Sequence, residues 1–259
     1  MHLSTHVKPP AAMVDNAVQH DVSDDEREAI LYLYDGLRVA DVTDGLDYNG
    51  FHDINQLDRE IRPLFRDPAT FSHRFVGFAH TVRFLPTNRP RPERMDSAAF
   101  DEWKRDWYSE LASGPFTDDI RKHDAIVIDG KGTNVGYIGS NNSLAWAANG
   151  AVGVVTNGGA RDTDEIIKQG QPSVYARHID KPIRPGRLEL DDTQVPIAVG
   201  GCMIRPNDVI VADGDGVVVV PVEHAREVAA DARSVQSGDQ AARADLYDEV
   251  GLESDFTLA

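Results

Sequence analysis

The run GSNNSLAWAANGAVGVVTNGGARDTD, Gly139 to Asp164, is the stretch whose reading decides the fold. It opens on Gly139-Ser140-Asn141-Asn142, residue types that favour tight turns and helix caps. A short apolar segment, Ser143 to Ala148, follows and is closed by Asn149-Gly150, a helix stop. Ala151 to Thr156 reads as a buried strand, because a short β-branched run between turn residues fits a strand better than a helix. Asn157-Gly158-Gly159 is expected to break that strand, so that Arg161-Asp162 emerges just beyond its carboxyl end. Thr163-Asp164-Glu165 starts the next helix, which stops near Gly170. Two helix N-termini and one strand end are thus close in sequence. Ligands in open α/β sheets collect at strand carboxyl ends, and helix N-termini favour anions. The site is sought here.

Outward from this stretch the chain alternates strands and helices. Residues 1–22 read as an irregular arm containing Pro9-Pro10. Ser23 to Glu26 is a capping-box start for a helix that carries Ile30, Leu31, Leu33 and Tyr34 towards a core. Val39 to Leu46 is a second short helix that Asp41 can cap; Asp44 on it is either a polar neighbour of the site or a surface cap. Phe75 to Leu85, Ala125 to Asp129, Ser173 to Ala176, Ile197 to Val199, Val209 to Ala212 and Val217 to Val220 read as strands. Glu223 to Val235 reads as a C-terminal helix followed by a polar tail. Residues 86–123 look inserted: Pro86, Pro90 and Pro92 break structure, then Phe100, Trp103, Trp107 and Leu111 follow a helical spacing. That segment is read as an ordinary surface helix, with a cover over the site or a subunit interface as the alternatives. The division is therefore an arm over 1–22, one domain over 23–222 with the 86–123 insertion, and a helix and tail over 223–259.

Composition excludes several classes. The net charge is −17, from 43 acidic and 26 basic residues, and such a surface repels nucleic-acid phosphates. Only six of the bases are lysines, a composition that a salt-adapted cytoplasm would select. No apolar run approaches the ~20 residues of a membrane span, and the first sixteen residues lack the apolar core of a secretory signal, so a cytoplasmic location is expected. Cys202 is the single cysteine, excluding an intrachain disulfide; beside Gly200-Gly201 it reads as a small buried residue rather than a nucleophile. Asp129-Gly-Lys-Gly132 lacks the spacing of a phosphate loop, and no Gly-x-Gly-x-x-Gly follows a strand. Asp213-Gly-Asp-Gly216 lacks the later ligands of a calcium loop and reads as a tight turn.

Gly150 to Asp162, with its Gly-x-x-Gly-x-Val-x-x-Gly-x-x-Arg-Asp pattern, resembles the RraA-like family, which includes metal-dependent 4-hydroxy-4-methyl-2-oxoglutarate aldolases, oxaloacetate decarboxylases and protein regulators of ribonuclease activity. Val195 to Gly201, Arg205-Pro-Asn-Asp208 and Ala212 to Pro221 extend the likeness, as do Val42 to Leu46 and Phe75 to Val82, so that it covers roughly 38–84 and 124–222. The resemblance implies an α/β fold, the swivelling β/β/α domain or αββα sandwich, associating as homotrimers or homohexamers with the pocket near a subunit boundary. It makes Asp162 the metal-facing carboxylate for Mg²⁺ or Mn²⁺ and Arg161 the cation that binds a 2-oxo acid, the pair being the catalytic residues; a local structural ion pair is the alternative reading of Arg161-Asp162. The backbone amides of Ser140, Asn141 and Asn142 after Gly139 can hold the same or a second carboxylate. Aldolase members carry an acid where this chain has Ser140; Asp164, Glu165 or an acid from a neighbouring subunit can stand in. The expected reaction is metal-dependent carbon–carbon cleavage of a 2-oxo acid with release of pyruvate. A non-catalytic, protein-binding regulator of the ribonuclease-inhibitor type is the alternative.

Overall fold

Alternation along one long strand sets up the whole architecture. In the computed structural model, which describes residues 21–112 and 115–258, strand Phe75–Pro86 turns Phe75, Gly77 and Ala79 to one face and Phe78, Val82 and Phe84 to the other. Residues 1–20 of the expected N-terminal arm lie outside the described residues. In chain order the strands are β1 (Arg62–Pro63), β2 (Phe75–Pro86), β3 (Asp124–Asp129), β4 (Gly136–Ile138), β5 (Gly153–Ala160), β6 (Ser173–Ile179), β7 (Leu188–Thr193), β8 (Ile197–Val199), β9 (Cys202–Ile204), β10 (Val209–Asp213) and β11 (Gly216–Val220). The α-helices are α1 (Asp24–Tyr34), α2 (Val39–Tyr48), α3 (Ser97–Trp107), α4 (Ser140–Ala148), α5 (Thr163–Gln169) and α6 (Ala225–Val250).

Nine strands form one mixed sheet in the order β1-β6-β5-β3-β2-β10-β11, with β4 also on β5 and β7 also on β2. Strands β2, β3, β5 and β6 run parallel, and β10 and β11 add an antiparallel hairpin. The segment before β1 joins the two ends of this row. Leu57 N–H donates to Val217 O at 3.0 Å and Val219 N–H donates to Asn55 O at 2.9 Å, while Arg62 pairs with Ala176 on β6. The sheet is therefore nearly closed, which hides edges that would otherwise invite pairing with another chain.

Closure produces three apolar regions. The inner face buries Phe75, Ala125, Val127, Val155, Tyr175, Ile210 and Val219 together with Ile197, Val199 and Ile204 of the β8–β9 hairpin. One part of the outer face, with Ile126, Ile128 and Val154, is covered by Trp146 of α4, Ile166 of α5 and Phe116. Another part, with Phe78, Val209 and Val218, is covered by α1, α2 and α6 through Ile30, Val42 and Val228. The fold is α/β, with helices outside a curved sheet, as expected. No helix among the described residues is long and apolar enough to cross a membrane.

Several local expectations need correction. Asn157-Gly158-Gly159 does not end β5; the strand continues to Ala160 across a register shift, because β6 and the three-residue β4 both supply partners there. The expected helix over Glu223–Val235 runs from Ala225 to Val250. Its distal half carries no regular apolar stripe, so periodicity underestimates it. Strand β7 is polar and half exposed, and pairs with the outer half of β2. Asp44 is exposed on α2, whereas Asp41 accepts the Arg38 N–H at 2.9 Å as the reciprocal half of a capping box. The Asp213–Gly216 turn joins β10 to β11, and both Asp213 carboxylate oxygens accept backbone amides, those of Val39 and Asp215.

A buried charge lies where the two helical layers meet on the sheet. Arg27 of α1, 3% exposed, donates to Asp124 Oδ1 at 2.5 Å and stacks its guanidinium 4.3 Å over the Phe78 ring. Burial opposes ionisation of Asp124, yet hydrogen bonds from His80, the Arg121 amide and Arg27 hold its carboxyl below the usual range. Removing one member of such a pair leaves the other charge uncompensated, at a cost of about 3–5 kcal/mol. Arg27→Met is expected to lower the urea-unfolding free energy by that amount, and an unchanged midpoint would show that Asp124 needs no cation.

Cys202 is buried on β9, its Sγ 3.1 Å from Gln56 O, and burial pushes its thiol up to about 11. A rise from the ordinary value of 9.0 to about 11 cuts the thiolate fraction at pH 8 by roughly 100-fold. Alkylation of Cys202 by iodoacetamide at pH 8 is therefore expected to be slower in the folded protein than in urea by at least that factor. Equal rates would return Cys202 to the list of nucleophiles.

Candidate functional site

Parallel pairing of β4 and β5 builds the site. Gly136 and Ile138 of β4 lie opposite Gly159 and Ala160 of β5, and the Arg161 N–H closes the pair by donating to Ile138 O at 2.8 Å. The chain then turns sharply, because Asp162 adopts a left-handed conformation at φ 54°, which aspartate tolerates better than most residues. α5 starts immediately after it. α4 starts at Ser140, directly after β4, so the N-termini of α4 and α5 flank the same strand end.

Asp162 occupies the N-cap of α5 but does not cap it. An aspartate in that position ordinarily accepts an amide of its own helix, a bond worth about 1 kcal/mol. Here the carboxylate is turned to the neighbouring helix: Oδ2 accepts the Ser140 N–H of α4 at 3.3 Å, and Oδ1 accepts Arg161 Nε–H at 3.1 Å. Both side chains remain about one-third exposed. A carboxylate offers roughly four acceptor positions, so two remain. Arg161 likewise keeps its two terminal amino groups free of any carboxylate partner among the described residues.

Glycines opposite this pair are contact surfaces. A Cβ on Gly136 would lie 2.9 Å from Arg161 Cβ and Cγ, and a Cβ on Gly139 would lie 2.8 Å from Asp162 Oδ2. One strand-width away, a Cβ on Gly158 would fall 2.3 Å from the Tyr137 ring and one on Gly159 would overlap the Asp180 carboxylate. Tyr137 OH donates to Gly130 O, and Asn157 bridges the next loop by accepting Gly130 N–H at 2.9 Å and donating to Asp129 Oδ1 at 3.1 Å. Lys131 is paired with Asp129, which occupies the cation of the rejected phosphate loop.

Of the residues singled out in the sequence, Gly139, Ser140, Arg161 and Asp162 come together directly. Asn141 and Asn142 lie on the first turn of α4, with Asn141 exposed. Asp164 and Glu165 lie exposed on the first turn of α5. No group of three or more His, Cys, Asp or Glu able to hold a metal occurs among the described residues. Asp162 is the carboxylate in contact with Arg161.

Sequence reasoning missed the walls around Arg161. A cleft of about 580 Å³ is lined by Arg161, by the basic loop from Lys181 to Arg187, and by Arg91, Pro92, Phe100 and Trp103 of the insertion. The insertion is thus more than an ordinary surface helix. It is docked: Trp107 Nε1–H donates to Leu188 O at 2.9 Å, and buried Arg184 donates to Ala112 O at 2.8 Å. Aromatic spacing on α3 was visible in sequence, but its docking partner, eighty residues away, was not.

Comparison with known proteins places this geometry. Residues 39–219 match the RraA-like family, described as Aldolase/RraA. Protein DlpA of Legionella pneumophila is 27% identical over 193 residues, which are 73% of this chain and 27% of that protein. A Deinococcus radiodurans protein named "Putative 4-hydroxy-4-methyl-2-oxoglutarate aldolase" is 37% identical over 101 residues, 38% of this chain and 61% of its own length. The chain thus spans less than two-thirds of the length of these two relatives. The crystal structure of Streptomyces coelicolor RraAS2, titled an unusual member of the RNase ES inhibitor RraA protein family, superposes with a TM-score of 0.64 at 21% identity, covering 83% of this chain and 96% of that one, and so shares the fold. With more than half of its length matched, strand-end Arg161-Asp162 included, this chain belongs to the RraA-like family.

Proposed function

We propose that the protein is a divalent-metal-dependent lyase that cleaves a carbon–carbon bond of a 2-oxo acid, such as 4-hydroxy-4-methyl-2-oxoglutarate or oxaloacetate, and releases pyruvate. The observation that carries this reading is the diverted Asp162 carboxylate. It gives up the cap of its own helix to sit between the α4 amide and Arg161, the residue of the pair that lines the cleft.

The donor set fits a hard cation held by few protein ligands. Mg²⁺ and Mn²⁺ are commonly bound through one or two carboxylates, with water and substrate completing the shell. Asp162 would hold the ion through its unused oxygen positions. When bound, such an ion supplies Lewis-acid stabilisation of the negative charge that develops as the bond breaks. Arg161, fixed through Nε to Asp162, presents its remaining N–H groups as a fork for the substrate carboxylate, and a fork orients as well as attracts. The first-turn amides of α4 lie beside it and favour an anion. Since Ser140 is not acidic, Asp164, Glu165 or an acid of a neighbouring subunit takes the proton-handling place on this reading. A purely protein-binding regulator leaves the cation-lined cleft without a role.

Asp162→Asn is expected to keep the fold and lose at least 100-fold in metal-dependent pyruvate release, since a neutral amide cannot replace the charge at a divalent site. Arg161→Lys should raise KM for the oxo acid roughly tenfold or more, because a point charge replaces a fork. A coupled pyruvate assay with and without EDTA checks both. Wild-type turnover of Asp162→Asn across a Mg²⁺ titration, or EDTA-resistant activity, would overturn the metal reading.

Family membership also motivates a homotrimer or a multiple of three, and the −17 charge motivates its strengthening in salt, where repulsion among acids is screened. Light scattering is expected to report such an assembly in molar salt. A monomer at both low and high salt would refute it.

A further inference from the structure

The cleft at Arg161 is larger and more basic than a small oxo acid requires. Its volume of about 580 Å³ falls in the range that accommodates drug-sized ligands. Arg91, Lys181 and Arg187 line it, and none of them pairs with a carboxylate among the described residues. Together with Arg161 they put four cations around one cleft in a chain of net charge −17. Arg187 is held in place through backbone oxygens alone, donating to Ile183 O at 3.1 Å and Pro185 O at 3.3 Å. Cations lining one cleft without partner acids leave their counter-charge to come from a ligand.

Beside the cations lies an aromatic wall. The Phe100 and Trp103 rings lie 5.4 Å apart, tilted by 41°, and those of Trp103 and Trp107 5.5 Å apart, tilted by 55°, so they form a row that ends in the anchored Trp107. Gly186 lets the indole approach the basic loop: at φ 73° a Cβ there would be strained, and it would sit 3.1 Å from Trp103 Cη2. The insertion and the loop from Ile183 to Leu188 are fixed to each other by the Trp107–Leu188 and Arg184–Ala112 hydrogen bonds. The wall is therefore a built surface.

We infer that Arg91, Phe100, Trp103 and Arg187 are specificity-determining residues, and that the cleft takes a 2-oxo acid carrying a planar apolar body and a second, distal anionic group. The oxo-acid head rests on the reading of Arg161 given above; the body and the distal anion rest on the insertion alone. The ring lies against Trp103, where aromatic contact favours flat groups. The distal anion meets Arg91 and Arg187, whose charge-assisted hydrogen bonds are the stronger kind.

Calorimetric titration of the full chain in EDTA separates these parts, with pyruvate as the head, phenylpyruvate as head and ring, and 4-carboxyphenylpyruvate as all three. Affinity is expected to rise roughly tenfold at each step. Trp103→Ala should lose the step due to the ring, and Arg91→Glu the step due to the distal carboxylate. Arg91 is exposed between Pro90 and Pro92, so its replacement keeps the fold and tests the cleft even if Trp103→Ala unfolds. Equal affinity for the three probes, or both steps surviving in the variants, would overturn the inference, even in a protein that releases pyruvate from oxaloacetate. Steps that are present in wild type and lost in the variants would uphold it, even if no 2-oxo acid is cleaved.

Discussion

Arg161 and Asp162 can stand where they do because the positions that face them, Gly136 and Gly139, have no side chains. Gly136 and Gly139 each leave less than 3 Å between a hypothetical Cβ and the pair, and Gly158 and Gly159 do the same for Tyr137 and Asp180. Three glycines on two adjoining strands and a fourth at the N-cap of α4 thus make room for Arg161, Asp162, Tyr137 and Asp180. None of the four is needed for backbone freedom, because none has a positive φ. Their function is close approach. The only left-handed residue at the strand end is Asp162 itself, and that turn is what aims its carboxylate at α4.

The same constraint explains what could be read in the sequence. Strands β3, β10 and β11 are dense in β-branched residues and were legible, as were the ends of α4 and α5 at Asn149-Gly150 and Gly170. Adjacency of Arg161-Asp162 to a strand end and a helix start followed from local pattern too. Asn157-Gly158-Gly159 misled, because glycines that serve packing look like glycines that serve a turn. β5 runs through them since β4 and β6 offer partners on both sides, and that information is tertiary. β4 itself is three residues long, too short for any period to register.

α6 and the insertion illustrate the other limit. α6 is anchored by Val228, Ala229 and Ala232 against α2, and Gln236 donates to Gly36 O. Past that point it is a mainly solvated helix running through Gly238, and solvated helices carry no apolar stripe to read. In α3 the stripe was read, but half of it serves the core through buried Trp107 and half lines the cleft through Phe100 and Trp103. A pattern of ring spacings gives the face and says nothing of what the face meets. Docking onto Leu188 decided that, and a long-range hydrogen bond leaves no trace in local composition.

Charge distribution links the insertion to the rest. With a net charge of −17, most of the surface repels an anionic ligand, and at ~0.1 M salt that repulsion fades over about 10 Å. An anion must therefore find its attraction close at hand. Arg161 alone would supply little, since Asp162 neutralises it through the 3.1 Å pair. Lys181 and Arg187 on the loop, and Arg91 on the insertion, restore a positive field within the cleft without touching that pair. The core of the domain fixes two charges of opposite sign, a dipole suited to a cation and a carboxylate side by side; the insertion adds unpaired positive charge around it. The strand-end geometry and the positive field of the cleft are thereby carried by different parts of the chain.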